Sequence, residues 1–143
     1  MKHQLVLAAA LAVAGCTSIS VSPVSRTAEV KSVCIINNPK VAVSDFTSVL
    51  RDGFSRNGIA TSVVDESQAR GCDVTLTYTA LRSWDFTPYL SHAELRLWRG
   101  GMQICSADYH LNGKGGFSLT KWTSTKEKMD PVIDQLLDRA GAG

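Results

Sequence analysis

Three cysteines and two histidines are the residues whose chemistry would suit a metal ion. A structural zinc site needs four such ligands, and they usually come as closely spaced pairs. No two of these residues have the spacing of a zinc finger or a zinc ribbon. The sequence therefore favours surface histidines and a disulfide over a metal site. The five residues are Cys34, Cys72, Cys105, His92 and His110.

A carboxylate beside a histidine is the second arrangement that could do chemistry. Asp108 and His110 share one face of a predicted strand, and Asp85 could approach them. The chain contains no Gly-x-Ser-x-Gly motif and no cysteine-protease signature. The glycine-rich residues 113–116 lack the spacing of a phosphate-binding loop. Because carboxylate–imidazole pairs are more often structural, we expect no catalytic residues and no enzymatic activity.

The N-terminal segment carries the strongest signal. Its apolar run, from Leu5 to Ala14, is shorter than the roughly 20 residues of a permanent membrane span. The run fits the apolar core of a secretory signal peptide. The residues that end it, Val13-Ala14-Gly15-Cys16, resemble the bacterial lipobox. The resemblance implies removal of residues 1–15 and attachment of a diacylglyceryl thioether and an N-acyl chain to Cys16.

The residue after this cysteine bears on the destination of the protein. It is Thr17 rather than Asp, which by the same resemblance implies delivery to the outer membrane, on its periplasmic face. Three acyl chains anchor a protein stably, whereas one alone is marginal. We expect no other cofactor. Residues 16–29 are rich in Ser, Thr and Val and predict a flexible tether with a reach of about 20 Å.

Length and composition limit the number of domains and the kinds of partner that the rest of the chain can have. Removal of residues 1–15 leaves 128 of the 143 residues, enough for one domain, here residues 30–143. Only Lys2 is lost from the charge count, so 14 basic residues stand against 13 acidic ones. This balance argues against a nucleic-acid surface, which would show a basic excess. Cysteines of an exported protein tend to be oxidised.

Hydrophobic periodicity predicts the element order β-α-β-β-β-β-α. This order indicates an α+β fold, a single mixed sheet with two helices packed on one face. The first helix should run from Ser44, as N-cap, to residue 57, and the second from Ser124 to residue 139. A later start for the second helix, at Asp130 with Pro131 in first position, is the alternative. The predicted strands cover residues 30–36, 59–64, 72–81, 89–99 and 102–111.

Gly100-Gly101 predicts a tight hairpin between the last two strands. A two-residue loop pairs Leu97 with Ile104 and places Cys105 on the face opposite Leu97. A three-residue loop would place it on the same face, since one residue of slip inverts a strand. We predict the two-residue loop.

Several stretches of the mature chain carry a family pattern: residues 33–39, 72–78, 84–85, 89–90, 93–95 and 130–137. With them the chain resembles the Sbal-type lipoproteins, a family of small Gram-negative lipoproteins of unknown function. None of these stretches is a chemical motif, so the resemblance implies no activity. More distantly, the element order is similar to periplasmic lipoprotein domains of the TolB N-terminal and curli-secretion kind, a likeness of fold alone.

The resemblance also bears on the disulfide. The three cysteines beyond Cys16 allow three single pairings. Cys34 and Cys72 belong to the family pattern, and each lies at the end of a predicted strand, so we expect the bond between them. It closes a loop of about 38 residues, worth about 4 kcal/mol in the chain-entropy model. Cys105 is then a small strand residue.

Four residues form the candidate partner surface. Trp84, Asp85 and Tyr89 cluster at a predicted strand turn, where aromatic residues either seal the core or anchor a partner. Sealing is the more frequent role. Trp98 lies on the polar face of the sheet, which is suited to docking another protein.

Together these features predict an outer-membrane-anchored periplasmic lipoprotein that acts as a non-enzymatic interaction or accessory module in envelope assembly or transport. Its partners would be the membrane, through the lipid, and another protein, but not nucleic acid. A small-ligand-binding lipoprotein is the alternative, and a large apolar cavity with converging polar groups would favour it.

Overall fold

In the part of the chain that the structure describes, a mixed sheet of six strands forms one layer of the fold, and two helices cover one of its faces. The computed structural model describes residues 17–25, 28–111 and 119–138. The predicted signal peptide, Cys16 and the glycine-rich residues 113–116 lie outside the described residues. The α+β prediction is confirmed.

The strands lie in the spatial order β1-β6-β5-β4-β2-β3. β2 runs parallel to β3 and β4, and the other neighbours are antiparallel. Short 3₁₀ helices precede β4 (Glu66–Gly71) and α2 (Leu119–Trp122). The elements are β1 (Thr17–Ser22), β2 (Ser32–Ile36), α1 (Phe46–Arg56), β3 (Ala60–Val64), β4 (Val74–Asp85), β5 (Thr87–Arg99), β6 (Met102–Leu111) and α2 (Thr125–Leu136).

β1 corrects the predicted tether. Thr17–Ser22 pairs antiparallel with the last strand, from Thr17 opposite Leu111 to Ser22 opposite Ser106. Polar, mostly exposed residues suggested an unfolded segment, but Ser, Thr, Ile and Val suit an edge strand whose backbone bonds to β6. Beyond β1, the amide of Val24 donates to the carbonyl of Leu136, at 2.9 Å. Residues 17–22 of the predicted spacer are therefore part of the sheet.

Helix α1 buries the predicted apolar stripe, which consists of Phe46, Val49, Leu50 and Phe54. The predicted N-cap at Ser44 is wrong, because Asp45 occupies that position. Its carboxylate makes no cap bond and accepts instead from the hydroxyl of Thr125, at 3.0 Å. The side chain that would cap α1 therefore links it to the start of α2.

Helix α2 begins where the capping-box spacing predicted. The hydroxyl of Ser124 accepts from the amide of Glu127, at 3.1 Å. The alternative start at Asp130 is wrong, since Pro131 lies inside a continuous helix. The buried stripe consists of Met129, Val132, Ile133 and Leu136, followed by Leu137.

The two helices approach each other closely at Gly53. A Cβ at this position would lie 2.7 Å from Cδ1 and 2.9 Å from Cγ2 of Ile133. Arg56 completes the contact, donating to Asp130 at 2.9 Å and to Asp134 at 2.7 Å. Hydrogen bonding to Asp134, opposed by partial burial, raises the pKa of Arg56. These contacts hold α1 and α2 as one layer.

The hairpin between β5 and β6 confirms the two-residue loop and corrects the register beyond it. Arg99 lies opposite Met102, and Gly100 and Gly101 both have positive φ, as this tight turn requires. A bulge then adds Ile104 to β6, so that Leu97 pairs with Cys105. Because one extra residue inverts the strand, the predicted face of Cys105 is wrong: it lies in the core, 2% exposed.

Candidate functional site

Among the described residues both helices lie on one face of the sheet. The opposite face, here called the open face, presents aligned rows of polar side chains. These residues alternate along β5 and β6 with the buried residues Ala93, Leu95, Ala107 and Tyr109. The cross-strand pairs are His92 with His110, Glu94 with Asp108, and Arg96 with Ser106.

Hydrogen bonds and ion pairs connect these rows. Arg96 lies 3.5 Å from Asp108 and 3.9 Å from Glu94. Glu94 also lies 3.3 Å from Nε2 of His92, whose Nδ1 is 3.3 Å from Nδ1 of His110. The side chains that form these ion pairs are 27 to 41% exposed to solvent. The open face is thus a half-exposed network whose charges are fixed relative to one another.

Trp98 extends the open face toward the glycine hairpin. Its indole N–H donates to the hydroxyl of Thr77, at 2.8 Å. A shallow groove of about 410 Å³ runs beside the ring and is bordered by Arg70 and Asp73. Asp73 is held by Arg99, at 2.9 Å. The orientation of Trp98 is therefore set by a hydrogen bond, and its ring borders a groove open to solvent.

The disulfide lies next to this groove. Cys34 and Cys72 are bonded, with their Cα atoms 6.2 Å apart, which confirms the predicted pairing. The bond ties β2 to the segment that leads into β4. Cys105 is a free, buried thiol, and burial raises its pKa to about 12.

The opposite end of β5 carries the rest of the predicted partner surface, and its residues take two different roles. Tyr89 is 5% exposed and seals the core, as the more frequent role implied. The ammonium groups of Lys121 and Lys128 lie 5.6 and 5.4 Å from the centre of its ring. Trp84, in contrast, is 73% exposed. Asp85 forms an ion pair with Lys121.

The structure does not bring all four predicted residues together. Trp98 lies nine positions after Tyr89 on the same strand, which separates them by about 30 Å. The candidate partner surface is therefore two surfaces: the open face around Trp98 and the tip of the β4–β5 hairpin around Trp84.

The candidate metal and catalytic groups are also separated. Two of the three cysteines are joined, and Cys105 faces the helices, whereas His92 and His110 lie on the open face. Among the described residues, no group of three metal-ligating side chains is arranged to hold an ion. Asp85 lies at the hairpin tip with Lys121, away from Asp108 and His110.

Sequence reasoning missed the lysines and aromatic residues that build the hairpin tip. Lys128, on α2, is 7% exposed and donates to the carbonyls of Leu90 and Lys121. Burial lowers its pKa to about 8. The indole N–H of Trp122 donates to the carbonyl of Asp85, at 2.9 Å. Lys128 lies on the apolar side of the amphipathic helix α2, and this position was the feature of the sequence that could have indicated a buried lysine.

Within the described part of the chain, no helix has the length and apolarity that a membrane crossing requires.

Comparison with known proteins gives a class of fold. No protein-family model matches the chain, and no curated protein matches it. Solved structures with a similar fold include the following two.

Both are of PelC from Paraburkholderia phytofirmans. One chain from a dodecamer of a PelC variant with a single substitution superposes with a TM-score of 0.58 and 13% sequence identity over 84% of this chain and 98% of the PelC chain. One chain from a second PelC dodecamer, in another crystal form, gives a TM-score of 0.55 and 12% identity over 82% and 97% of the two chains. At this identity the likeness shows the fold alone.

Proposed function

We propose that this protein is a lipoprotein anchored through Cys16 in the outer membrane, on its periplasmic face, and that it is a non-enzymatic interaction or accessory module in envelope assembly or transport. Membership of the Sbal-type lipoproteins is part of this proposal. The lipobox Val13-Ala14-Gly15-Cys16 supports the anchor. The Cys34–Cys72 disulfide is in keeping with an oxidising compartment.

The observation that carries the interaction role is the open face. Its charged side chains hold one another at 3.3 to 3.9 Å, and Trp98 is oriented by Thr77. A surface ordered before binding loses less side-chain entropy when a partner docks. Tryptophan and arginine are also among the residue types that contribute most at protein interfaces, and Trp98 and Arg96 are both half-exposed.

Site-specific photo-crosslinking in cells tests this role. A photoreactive amino acid at Thr79, which is exposed on the open face, should give a discrete crosslinked product. The same amino acid at Asp52, exposed on α1, is the control and should give none. Arg96→Glu combined with the Thr79 probe should abolish the product. Equal products from both probes, or one insensitive to Arg96→Glu, would contradict docking on this face.

The small-ligand alternative rests on the groove beside Trp98. Its volume of about 410 Å³ falls within the range of small-molecule sites. The ring of Trp98 and the guanidinium of Arg70 could hold an anionic or planar ligand there. A ligand screen by thermal shift, with Trp98→Ala as the control, separates the two roles: a compound that stabilises only the unaltered protein would favour ligand binding.

A further inference from the structure

The tip of the β4–β5 hairpin exposes an aromatic cluster, here called the tip cluster, that consists of Trp84, Phe86 and Trp122. Their exposed fractions are 73, 89 and 37%. Phe86 alone joins the two strands, with a φ of 61° that L-residues rarely adopt. The structure thus places a phenylalanine, rather than a glycine or asparagine, at the most protruding position of the hairpin.

The tip cluster is held in place from below. The rings of Phe86 and Trp122 are 6.4 Å apart, and the indole of Trp122 is hydrogen-bonded to the carbonyl of Asp85. The carboxylate of Asp85 forms an ion pair with Lys121, whose ammonium lies 4.6 Å from the ring centre of Trp122. The tip therefore presents apolar rings to solvent, and the Asp85–Lys121 ion pair lies beneath them.

Strand register places this tip at the end of the sheet where the chain enters it. Thr17 lies opposite Leu111, and the residue before Leu111 on β6, His110, pairs with His92. Arg82 pairs with Leu90 near the same level. Phe86 follows Arg82 by four residues, so the tip extends about 13 Å beyond the level of Thr17.

Cys16 precedes Thr17 directly, and Thr17 is already a strand residue. Acyl chains on Cys16 would therefore leave the protein at this end of the sheet, with no tether to hold the domain away from the bilayer. The tip cluster would extend about 10 Å past the attachment point, which matches the depth at which interfacial segments sit. Tryptophan is enriched at that depth in membrane proteins.

We propose that the tip cluster inserts into the interfacial layer of the bilayer that holds Cys16, so that the domain is fixed to the membrane at two points. This inference rests on the proposed lipid anchor. The partner is a lipid surface, which the position of the attachment residue favours over a second protein.

Quenching by lipids with brominated acyl chains tests the insertion. The lipidated protein is reconstituted into phosphatidylethanolamine–phosphatidylglycerol vesicles as two single-tryptophan variants. W98F/W122F retains Trp84 at the tip, and W84F/W122F retains Trp98 at the far end of β5. We expect brominated lipids to cause a loss of Trp84 emission, because an interfacial tryptophan lies at the level of the headgroups and beside the acyl chains, and we expect the emission of Trp98 to stay unchanged. Equal quenching of the two would overturn the insertion.

Two further variants provide a matched control. Phe86→Ser in the Trp84-retaining protein should reduce quenching, because it removes the most protruding apolar side chain. Met102→Ser removes another exposed apolar side chain, 73% exposed, from the hairpin at the opposite end, and should have no effect. If a second copy of the chain covers the tip, Trp84 emission will depend on protein concentration and not on bromination, which would also overturn the inference.

The failure of the anchor is distinguishable from the failure of insertion. An intact mass without acyl groups would refute the lipid anchor itself. A lipidated protein that stays with the vesicles while Trp84 remains unquenched would refute only the insertion of the tip.

Discussion

The buried side chain of Tyr109 carries a hydroxyl group whose removal should stabilise the fold. Among the buried side chains that the structure describes, its hydroxyl is the polar group without a hydrogen-bond partner. Burial also raises its pKa to about 12. Because an unpaired buried polar group costs about 1–3 kcal/mol, Tyr109→Phe should raise the free energy of unfolding by about 1 kcal/mol, measured by urea denaturation.

Tyr78 provides the matched control for that substitution. Its hydroxyl accepts from the amide of Asn38, at 3.1 Å, and lies 3.4 Å from the hydroxyl of Thr47. Tyr78→Phe should therefore lower the free energy of unfolding by about 1 kcal/mol. If both substitutions destabilise equally, the Tyr109 hydroxyl has a partner after all.

Lys128 predicts a pH dependence of stability. Its pKa is about 8 in the folded chain and near the ordinary value of 10.5 when unfolded. Between these values the unfolded chain binds more protons, so this residue makes the free energy of unfolding rise with pH. Urea titrations at pH 7.5 and pH 10 should show the unaltered protein gaining stability relative to Lys128→Met.

Comparison with the variant is necessary because other groups titrate in the same range. Cys105 and Tyr109 ionise more readily in the unfolded chain, which lowers stability as pH rises above about 9. That contribution is common to both proteins and cancels in the difference. A difference that is independent of pH would show that Lys128 is not desolvated.

At the scale of elements, Gly53 decides how closely the two helices pack. Helix propensity alone favours Gly53→Ala by about 1 kcal/mol. The added Cβ would meet Ile133 at 2.7 Å, and such overpacking costs about 1–3 kcal/mol. We therefore expect Gly53→Ala to be destabilising by about 1 kcal/mol, measured by chemical denaturation.

Gly71→Ala is the control, because no heavy atom beyond its two chain neighbours lies within 4 Å of the Cβ it would add and its φ is not positive. It should change stability little. The shortened side chain of Ile133→Val should reduce the cost of Gly53→Ala. Independent, additive effects of those two substitutions would contradict the close approach.

β1 provides the test of the corrected N-terminal segment. In an edge strand every second amide bonds to the neighbouring strand, so alternate amides between Thr17 and Ser22 should exchange slowly. A flexible tether would exchange at all of them within seconds. Hydrogen exchange read by NMR resolves the pattern, and uniformly fast exchange would show that the segment does not join the sheet in solution.

The helices and strands were predictable where apolar residues recur at the period of a helix or of a strand. The stripes Phe46–Phe54 and Met129–Leu137, and the alternation along β4 and β5, defined both helices and the central strands. β1 was missed because an exposed edge strand has little apolar pattern. The bulge at Ile104 was missed because local sequence does not specify where an extra residue enters a ladder.

The candidate site was predictable only in part for a related physical reason. Trp84 and Trp98 were identified by residue type, but their separation depends on the length of β5. Lys121 and Lys128 take their roles from burial against Tyr89, which arises from chain segments distant in sequence. Hydrophobic periodicity shows which face of a helix or strand is buried, but it does not show which residues of other segments pack against that face.

At the scale of the whole molecule, three regions have different roles. The helix layer and the disulfide stabilise the fold, the open face offers a fixed polar network, and one end of the sheet carries both the chain entry at Thr17 and the tip cluster. If Cys16 is lipidated, this end faces the bilayer and the sheet extends away from it. The open face would then stand beside the membrane, accessible to a periplasmic partner.

The central claim is the lipid anchor at Cys16, and the most direct test is the intact mass of the protein extracted from native membranes. Thiols are alkylated in denaturant before and after reduction. We predict a triacylated chain that begins at Cys16, with one alkylated thiol, Cys105, before reduction and three after it. A chain without acyl groups would contradict the anchor, and three free thiols without reduction would contradict the disulfide.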